Sequence, residues 1–223
     1  MSGLLVLAGA RPAAALDVNI NCAVPEAPTV SVTPVSDEIQ YDYSVSSRDL
    51  SMKKTDTASP YPAGTDSATG GLRVDTPTIA TAVKYGDVTY PSLHQSCLWY
   101  HSIEVTIKLS PHIYIAREYN ALGPCRDAIM AHELHHVDVD REMMNKYSYI
   151  IGQAVQDVVN RTGAVGPIDA DKVGGNGQQL IDGVSDAIKS VEQPLQDEMR
   201  QRQAQVDSLE EYKRISAICY GAH

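Results

Sequence analysis

The chain lacks long apolar runs and has fewer basic than acidic residues, and each absence removes a class of function. No uninterrupted apolar stretch approaches the roughly 18 residues that a membrane-spanning helix requires. Lys and Arg together number 18 against 28 Asp and Glu, for a formal net charge of −10. Because nucleic acids and anionic membranes are bound through an excess of positive charge, we expect neither as a partner.

Cysteine is scarce, and its spacing excludes two common kinds of site. The chain has 4 cysteines, widely separated and without a C-x-x-C pair, which argues against a zinc ribbon or a dithiol redox motif. In an exported protein an even number predicts two disulfides, with three possible connectivities. We favour Cys22–Cys97, which would tie the N-terminal arm to a strand. The other pair, Cys125–Cys219, would then hold the C-terminal helix beside the start of a central helix. Four reduced, buried thiols are the alternative.

The N-terminus has the pattern of a secretory signal peptide. A short apolar run, Leu4–Ala10, precedes an A-x-A cleavage pattern at Ala13–Ala15. Arg11 separates the run from the cleavage pattern, and no Lys or Arg precedes the run. We therefore expect residues 1–15 to be a signal-peptide-like segment of a secreted or periplasmic protein. A flexible N-terminal tail is the alternative.

The hydrophobic periodicity changes near Gly123. Before it, apolar and polar residues alternate, most regularly from Trp99 to Leu109, which predicts strands. Residues 72–90 predict a strand pair that turns at Gly86-Asp87. We therefore predict an α+β fold that begins with an antiparallel sheet.

After Pro124 the apolar spacing fits a 3.6-residue repeat as far as Gly163, which predicts one long helix. A glycine-rich loop over residues 163–177 should follow. The next helix begins near Gln178 and breaks or kinks at Pro194. A last helix begins with the capping box at Ser208. The sheet, the long helix and these C-terminal helices complete the predicted fold.

The long helix carries one H-E-x-x-H motif, formed by His132, Glu133 and His136. Residues four apart lie one turn apart on the same face of a helix, so the two imidazoles can bind one Zn²⁺. The neighbouring glutamate can take a proton from water whose pKa the metal lowers to about 7. The motif predicts a zinc site with Glu133 as general base. A solvated or core-satisfied histidine cluster is the alternative.

The sequence leaves the third metal ligand open. Metzincins continue as H-E-x-x-H-x-x-G-x-x-H or D, and here Glu142 has the last position while Val139 replaces the glycine that turns the chain. Asp140 follows His136 by four residues and lies only about 40° away around the helix. We predict Asp140 as the third ligand, or else as a carboxylate that orients His136. A thermolysin-like glutamate about twenty residues further on is missing, and Asp157 is the nearest acid.

Three features combine over about residues 38–150: Tyr41–Val45 leading into Ser46–Lys53, Cys97 opening the strand over 103–109, and the H-E-x-x-H helix. This combination resembles a family of bacterial proteins described as predicted secreted zinc-dependent proteases, a domain of unknown function. The resemblance implies a zincin-like metallopeptidase domain over residues 16–163. Residues 164–223 would be a C-terminal helical extension packed on the same domain.

We therefore expect a secreted zinc-dependent endopeptidase that acts on a peptide or protein substrate. The substrate should lie antiparallel to a sheet edge, either the strand over 103–109 or a neighbour. Candidates for stabilising the oxyanion are Tyr119, Tyr147 and His112. His101 and His112 are also weaker candidates for metal ligands. The alternatives are a non-enzymatic metal-binding or interaction protein of the bacterial cell envelope, and a non-peptidase metallohydrolase.

Overall fold

The computed structural model describes residues 19–53, 60–62, 68–75 and 77–221. Within these residues, six strands of two β-sheets precede a long helix, and one more strand and two further helices follow it, so the predicted α+β class is confirmed. No helix within the described ranges has the length and apolarity needed to cross a membrane. The signal-peptide-like segment 1–15 lies outside the described residues.

The described part of the chain contains seven strands and four α-helices. The strands are β1 (Thr29–Ser36), β2 (Gln40–Asp42), β3 (Gly71–Val74), β4 (Thr78–Tyr90), β5 (Gln95–Leu109), β6 (His112–Ile115) and β7 (Ala164–Asp169). The helices are α1 (Ser47–Ser51), α2 (Pro124–Thr162), α3 (Val173–Val206) and α4 (Leu209–Tyr220). The H-E-x-x-H motif lies in the first half of α2.

The larger sheet is built around β5. Antiparallel β4 pairs along one side of β5, and on the other side β7 pairs antiparallel near Gln95–Trp99 and β1 pairs parallel over 102–109. The smaller sheet has the order β2-β6-β3, with β2 parallel and β3 antiparallel to β6. Both sheets are therefore mixed. Because β5 is paired on both sides over 103–108, it offers no free edge to a substrate, and the prediction that named this strand is wrong.

The predicted turn at Gly86-Asp87 is also wrong, because β4 runs through it to Tyr90. The chain reverses later, through a 3₁₀ turn at Pro91–Leu93 and a left-handed His94. A Cβ at Gly86 would lie 2.8 Å from the indole Cε2 of Trp99. The glycine thus serves close packing across the sheet, which outweighs the local turn signal.

The main core lies between β5 and the two long helices. Ile103, Val105 and Ile107 alternate along β5 and are at most 1% exposed, as period-two burial requires. They pack in one cluster with Ile151 of α2 and Val184 of α3. The predicted strand over 99–109 is therefore confirmed, and it anchors both helices to the sheet.

The structure confirms the predicted long helix and corrects the region after it. Helix α2 begins at Pro124, and Gly163 ends it with a positive φ of 55°. The residues predicted as a loop instead contain β7 and the start of α3 at Val173. Pro194 lies inside a continuous α3, because buried side chains on both sides of it, Ile188 and Leu195, keep the helix packed.

Both disulfides connect the cysteines as we favoured from the sequence. Cys22–Cys97 joins the N-terminal arm to β5. Cys125–Cys219 joins the first turn of α2 to the last turn of α4. The second bond holds α4 along the first turns of the motif helix.

We predict that the double variant Cys125→Ser/Cys219→Ser loses about 2–5 kcal/mol of the free energy of unfolding, because a crosslink spanning many residues restricts the unfolded chain. Urea denaturation measures the loss, and hydrogen exchange should show reduced protection of the α4 amides. The control is Cys22→Ser/Cys97→Ser, which should leave the protection of α4 unchanged. Equal loss of α4 protection in both variants would contradict the local role of the Cys125–Cys219 bond.

Candidate metal centre

The three motif residues lie in the interior, where α2 is covered by β3 on one side and by α4 on another. His132, Glu133 and His136 are 7%, 4% and 6% exposed. The two imidazole rings have centroids 4.8 Å apart and planes at 88° to each other. This arrangement brings the two Nε2 atoms to 3.2 Å from each other.

A carboxylate from a distant part of the chain completes the group. Asp207 follows the last residue of α3, and its Oδ1 lies 3.2 Å from Nε2 of His132 and 3.2 Å from Nε2 of His136. Asp207 is 6% exposed. His132, His136 and Asp207 thus offer three ligand atoms that could hold one metal ion.

The separations of these atoms fit a divalent metal. Zn–N distances of about 2.0–2.1 Å at a tetrahedral angle place two ligand atoms roughly 3.3 Å apart. The donors are also of the right kind, since imidazole nitrogen and carboxylate oxygen are preferred ligands of zinc. The 3.2 Å separations of the three atoms therefore fit a zinc ion.

The electrostatics of the centre also favour a cation. Burial alone would lower the pKa of His136, but the hydrogen bond to Asp207 and the charge of Glu133 raise it overall. Asp207 and Glu133 place two carboxylates in a buried region, where unbalanced charge is costly. A divalent ion would balance both charges.

Asp140, the predicted third ligand, lies outside the group. Its Oδ2 lies 3.2 Å from Nε of Arg73 on β3, and its Oδ1 accepts a 2.6 Å hydrogen bond from Gln203 of α3. On a continuous helix its carboxylate is one turn beyond His136, where these two partners hold it. Asp207 has the place that the sequence assigned to Asp140.

The other acids weighed from the sequence are on the surface. Glu142 is paired with Arg202 and its side chain is 64% exposed. Asp157 is exposed on α2, about 30 Å along the helix from His136. Neither belongs to the group of ligand atoms found among the described residues. His101 and His112 on the sheets do not belong to it either.

Glu133 lies directly against the backbone of β3. The N–H of Arg73 donates a hydrogen bond to its carboxylate. A Cβ at Gly71 would lie 2.6 Å from Oε1 of Glu133. Burial raises the pKa of Glu133, against the opposing effect of His132 and His136. Glycine at position 71 is thus what allows the strand to approach this carboxylate.

Helix α4 covers the centre from the other side. The hydroxyl of Tyr212 donates to Oδ1 of Asp207 over 3.2 Å, and its ring meets the ring of His132 edge to face. Oε1 of Glu211 lies 3.7 Å from Nδ1 of His132, beyond a direct hydrogen bond. Burial raises the pKa of Tyr212, so this hydroxyl keeps its proton and remains a donor.

Asp207, Glu211 and Tyr212 were not found from the sequence, although one signal pointed to them. If Cys125 and Cys219 are bonded and the helices run antiparallel, seven residues along each helix bring position 212 opposite position 132, roughly 10 Å from the disulfide. The ring contact between His132 and Tyr212 agrees with that alignment. The predicted disulfide therefore contained the information that the ligand spacing lacked.

The three residues predicted to stabilise an oxyanion have other contacts. The hydroxyl of Tyr119 is hydrogen-bonded to Tyr220. The hydroxyl of Tyr147 donates to Glu198 over 3.1 Å, and His112 stacks on Tyr114. Tyr212, which contacts both His132 and Asp207, is the phenol nearest to the candidate ligands among these.

Comparisons with protein-family models, with curated proteins and with solved structures find no match for this chain. The resemblance to secreted zinc-dependent proteases therefore stays a prediction. The candidate metal centre is supported by the geometry of its own residues.

We predict that Asp207→Ala weakens zinc binding by at least about 100-fold, because it removes one of three converging donors. Mutation of a residue that only orients a metal ligand already lowers metal affinity about 10–100-fold. Competition with a chromogenic chelator measures the dissociation constant. Glu142→Ala, which removes an exposed acid of α2 that lies outside the group, is the control and should bind zinc as wild type does. Equal affinity of Asp207→Ala and wild type would contradict the assignment of Asp207.

We also predict that Gly71→Ala destabilises the protein by about 1–3 kcal/mol, the usual cost of an overpacked site. Its Cβ would meet Glu133 and Ile129, each with an atom 2.6 Å away. Gly174→Ala is the matched control, because nothing lies within 4 Å of a Cβ there. Alanine should be neutral or favourable at that helical position. Thermal and urea unfolding of both variants test the difference, and equal stabilities would refute the close approach of β3.

Proposed function

We propose that this chain is a zinc-dependent peptidase that acts outside the cytoplasm. His132, His136 and Asp207 would hold Zn²⁺, and Glu133 would act as the general base. The observation that carries the proposal is the convergence of two Nε2 atoms and one carboxylate oxygen at 3.2 Å beside a buried glutamate. This is the donor set that a hydrolytic zinc site uses, with three protein ligands.

When bound, the zinc ion would supply a Lewis acid that polarises a carbonyl group and makes water acidic near neutral pH. The residues of the chain supply the remaining functions. His132 and His136 bring neutral nitrogen donors from one turn of α2. Asp207 brings a charged oxygen from the junction of α3 and α4, and Tyr212 orients it by donating a hydrogen bond.

Glu133 has the position and the basicity that a general base needs. It neighbours His132 in sequence, and the N–H of Arg73 holds its carboxylate in place. Burial raises its pKa above that of an ordinary carboxyl group, which makes the carboxylate a stronger proton acceptor. Glu133 would take a proton from the attacking water and pass it to the nitrogen of the leaving amine.

The edge of β3 is where we place an extended substrate. Strand β3 pairs with β6 on one side. The N–H of Arg73 that donates to Glu133 points away from β6, so the other edge of β3 faces the general base. A peptide aligned on that edge would pass beside Glu133, and backbone hydrogen bonds would hold it extended.

Tyr212 would stabilise the oxyanion, in place of the three residues considered from the sequence. Its single hydroxyl hydrogen, which is donated to Asp207 over 3.2 Å, would turn from that carboxylate to the substrate oxygen as negative charge develops there. Its raised pKa keeps it a donor. Loss of one oxyanion donor typically costs about 10²–10³ in rate.

Two disulfides support a location outside the cytoplasm, in a secreted or periplasmic protein. Such bonds persist in oxidising compartments and are rare in the cytosol.

A non-enzymatic metal-binding protein is the second candidate, and one observation favours it. All four side chains of the centre are at most 7% exposed. Structural zinc sites are closed in this way, whereas catalytic sites keep a position open to water and substrate. The two candidates differ in what they require of Glu133.

We predict that Glu133→Gln keeps zinc but cleaves peptides about 10²–10⁴-fold more slowly, the usual contribution of a general base. Zinc content by atomic emission and cleavage of an unbiased peptide library by mass spectrometry give the two measurements. Glu142→Gln, an exposed substitution on the same helix, should match wild type in both. If wild type holds zinc tightly and cleaves no peptide, the proposed peptidase activity is wrong and a non-enzymatic metal-binding protein is favoured.

A further inference from the structure

Gln203 is a fully buried polar side chain in the interior beside the metal centre. It lies in the last turn of α3 and is 0% exposed. Its Oε1 lies 2.5 Å from Nδ1 of His136. Its Nε2 donates to Oδ1 of Asp140 over 2.6 Å and to the backbone carbonyl of His136 over 3.1 Å. Every polar atom of this amide is therefore used.

These partners decide which atoms carry the protons. The two nearest neighbours of Nε2 are oxygen acceptors and the third, 3.9 Å away, is the sulfur of Met199, so the NH₂ group must face them and Oε1 must face His136. An amide oxygen can only accept a hydrogen bond. Nδ1 of a neutral His136 must therefore carry the hydrogen, and Nε2 of the same ring is left with a lone pair.

We propose that Gln203 is a positioning residue that holds His136 as its Nδ1–H tautomer and thereby directs the Nε2 lone pair at the metal centre. That lone pair points to where Nε2 of His132 and Oδ1 of Asp207 converge, each 3.2 Å away. The identity of the bound ion rests on the proposed function. The tautomer of His136 does not, because Oε1 of Gln203 lies 2.5 Å from Nδ1 whereas Oδ1 of Asp207 lies 3.2 Å from Nε2, so the closer acceptor holds the hydrogen on Nδ1.

The proposal also assigns a role to Asp140, which the sequence suggested as a ligand. Asp140 accepts a hydrogen bond from Gln203, and Arg73 lies 3.2 Å from its other carboxylate oxygen. Arg73 also supports Glu133 through its backbone N–H. Arg73, Asp140 and Gln203 thus form a chain of contacts from the edge strand β3 to His136.

The chemistry of the chain explains why an amide stands at position 203. A carboxylate there would lie beside the carboxylate of Asp140 and would lose both hydrogen bonds that the NH₂ group donates. Metal-bound histidines usually donate their other N–H directly to a carboxylate or carbonyl group. Here the amide oxygen receives that hydrogen, and the negative charge of Asp140 stays one residue away, next to Arg73.

The test compares Gln203→Met with wild type. Methionine has a similar length and cannot hydrogen-bond to Nδ1, so the Nδ1–H tautomer should lose its preference. Nitrogen-15 NMR of the histidine rings in the metal-free protein, at a pH where His136 is neutral, reports the tautomer directly. We expect Nδ1–H in wild type and an increased share of Nε2–H in Gln203→Met. Zinc affinity, by chelator competition, should fall about 10–100-fold.

Two further variants separate positioning from packing. Gln201→Met places the same side chain on an exposed position of the same helix and should behave as wild type. Gln203→Glu keeps an oxygen that can accept from Nδ1, so it should retain the Nδ1–H tautomer even if repulsion from Asp140 lowers its stability. If Gln203 acted only through packing, Gln203→Met and Gln203→Glu would not differ in the tautomer of His136.

The outcomes distinguish this inference from the proposed function. An Nε2–H tautomer in wild type would overturn the role of Gln203, as would an unchanged tautomer and zinc affinity in Gln203→Met. If wild type binds no zinc, the proposed function fails, and the ring-nitrogen spectra still decide whether Gln203 positions His136.

Discussion

The bond between Cys125 and Cys219 sets the distance and direction of α4 relative to α2, and the candidate metal centre depends on that arrangement. It joins the first turn of one helix to the last turn of the other. Counting back from it along α4 brings Tyr212 to His132. Asp207 lies two residues before the start of α4, so the same contact brings its carboxylate to both imidazoles.

Around this centre, buried charge is organised in pairs and hydrogen bonds. The carboxylates of Asp207 and Glu133 lie beside the two imidazoles, at a site where a divalent ion would offset negative charge. The carboxylate of Asp140 is matched by Arg73 instead. Gln203 lies between these two regions, with hydrogen bonds to His136 in one and to Asp140 in the other. Helix α2 thus carries four buried acids or imidazoles within about two turns, His132, Glu133, His136 and Asp140, with the Asp140 carboxylate held apart from the other three.

Sequence reasoning succeeded for elements whose signal is local and failed where packing overrides it. The strand over 99–109 and the helix from Pro124 were visible because their apolar residues repeat with the period of the structure. Gly86-Asp87 looked like a turn, but Gly86 is needed for the approach of Trp99 within a continuous strand. Pro194 looked like a helix end, but tertiary contacts on both sides keep α3 intact.

What the sequence determined by itself was the part of the centre carried on one helical turn: two imidazoles four residues apart, and the glutamate between them. It also favoured the disulfide pairing, in which one bond ties the N-terminal arm to a strand and the other holds the C-terminal helix beside the motif helix. Only the tertiary structure identified Asp207, Tyr212 and Gln203, and moved Asp140 out of the ligand group. Helical spacing relates residues within a few turns, whereas His136 and Asp207 are 71 positions apart and meet only when separate helices pack together.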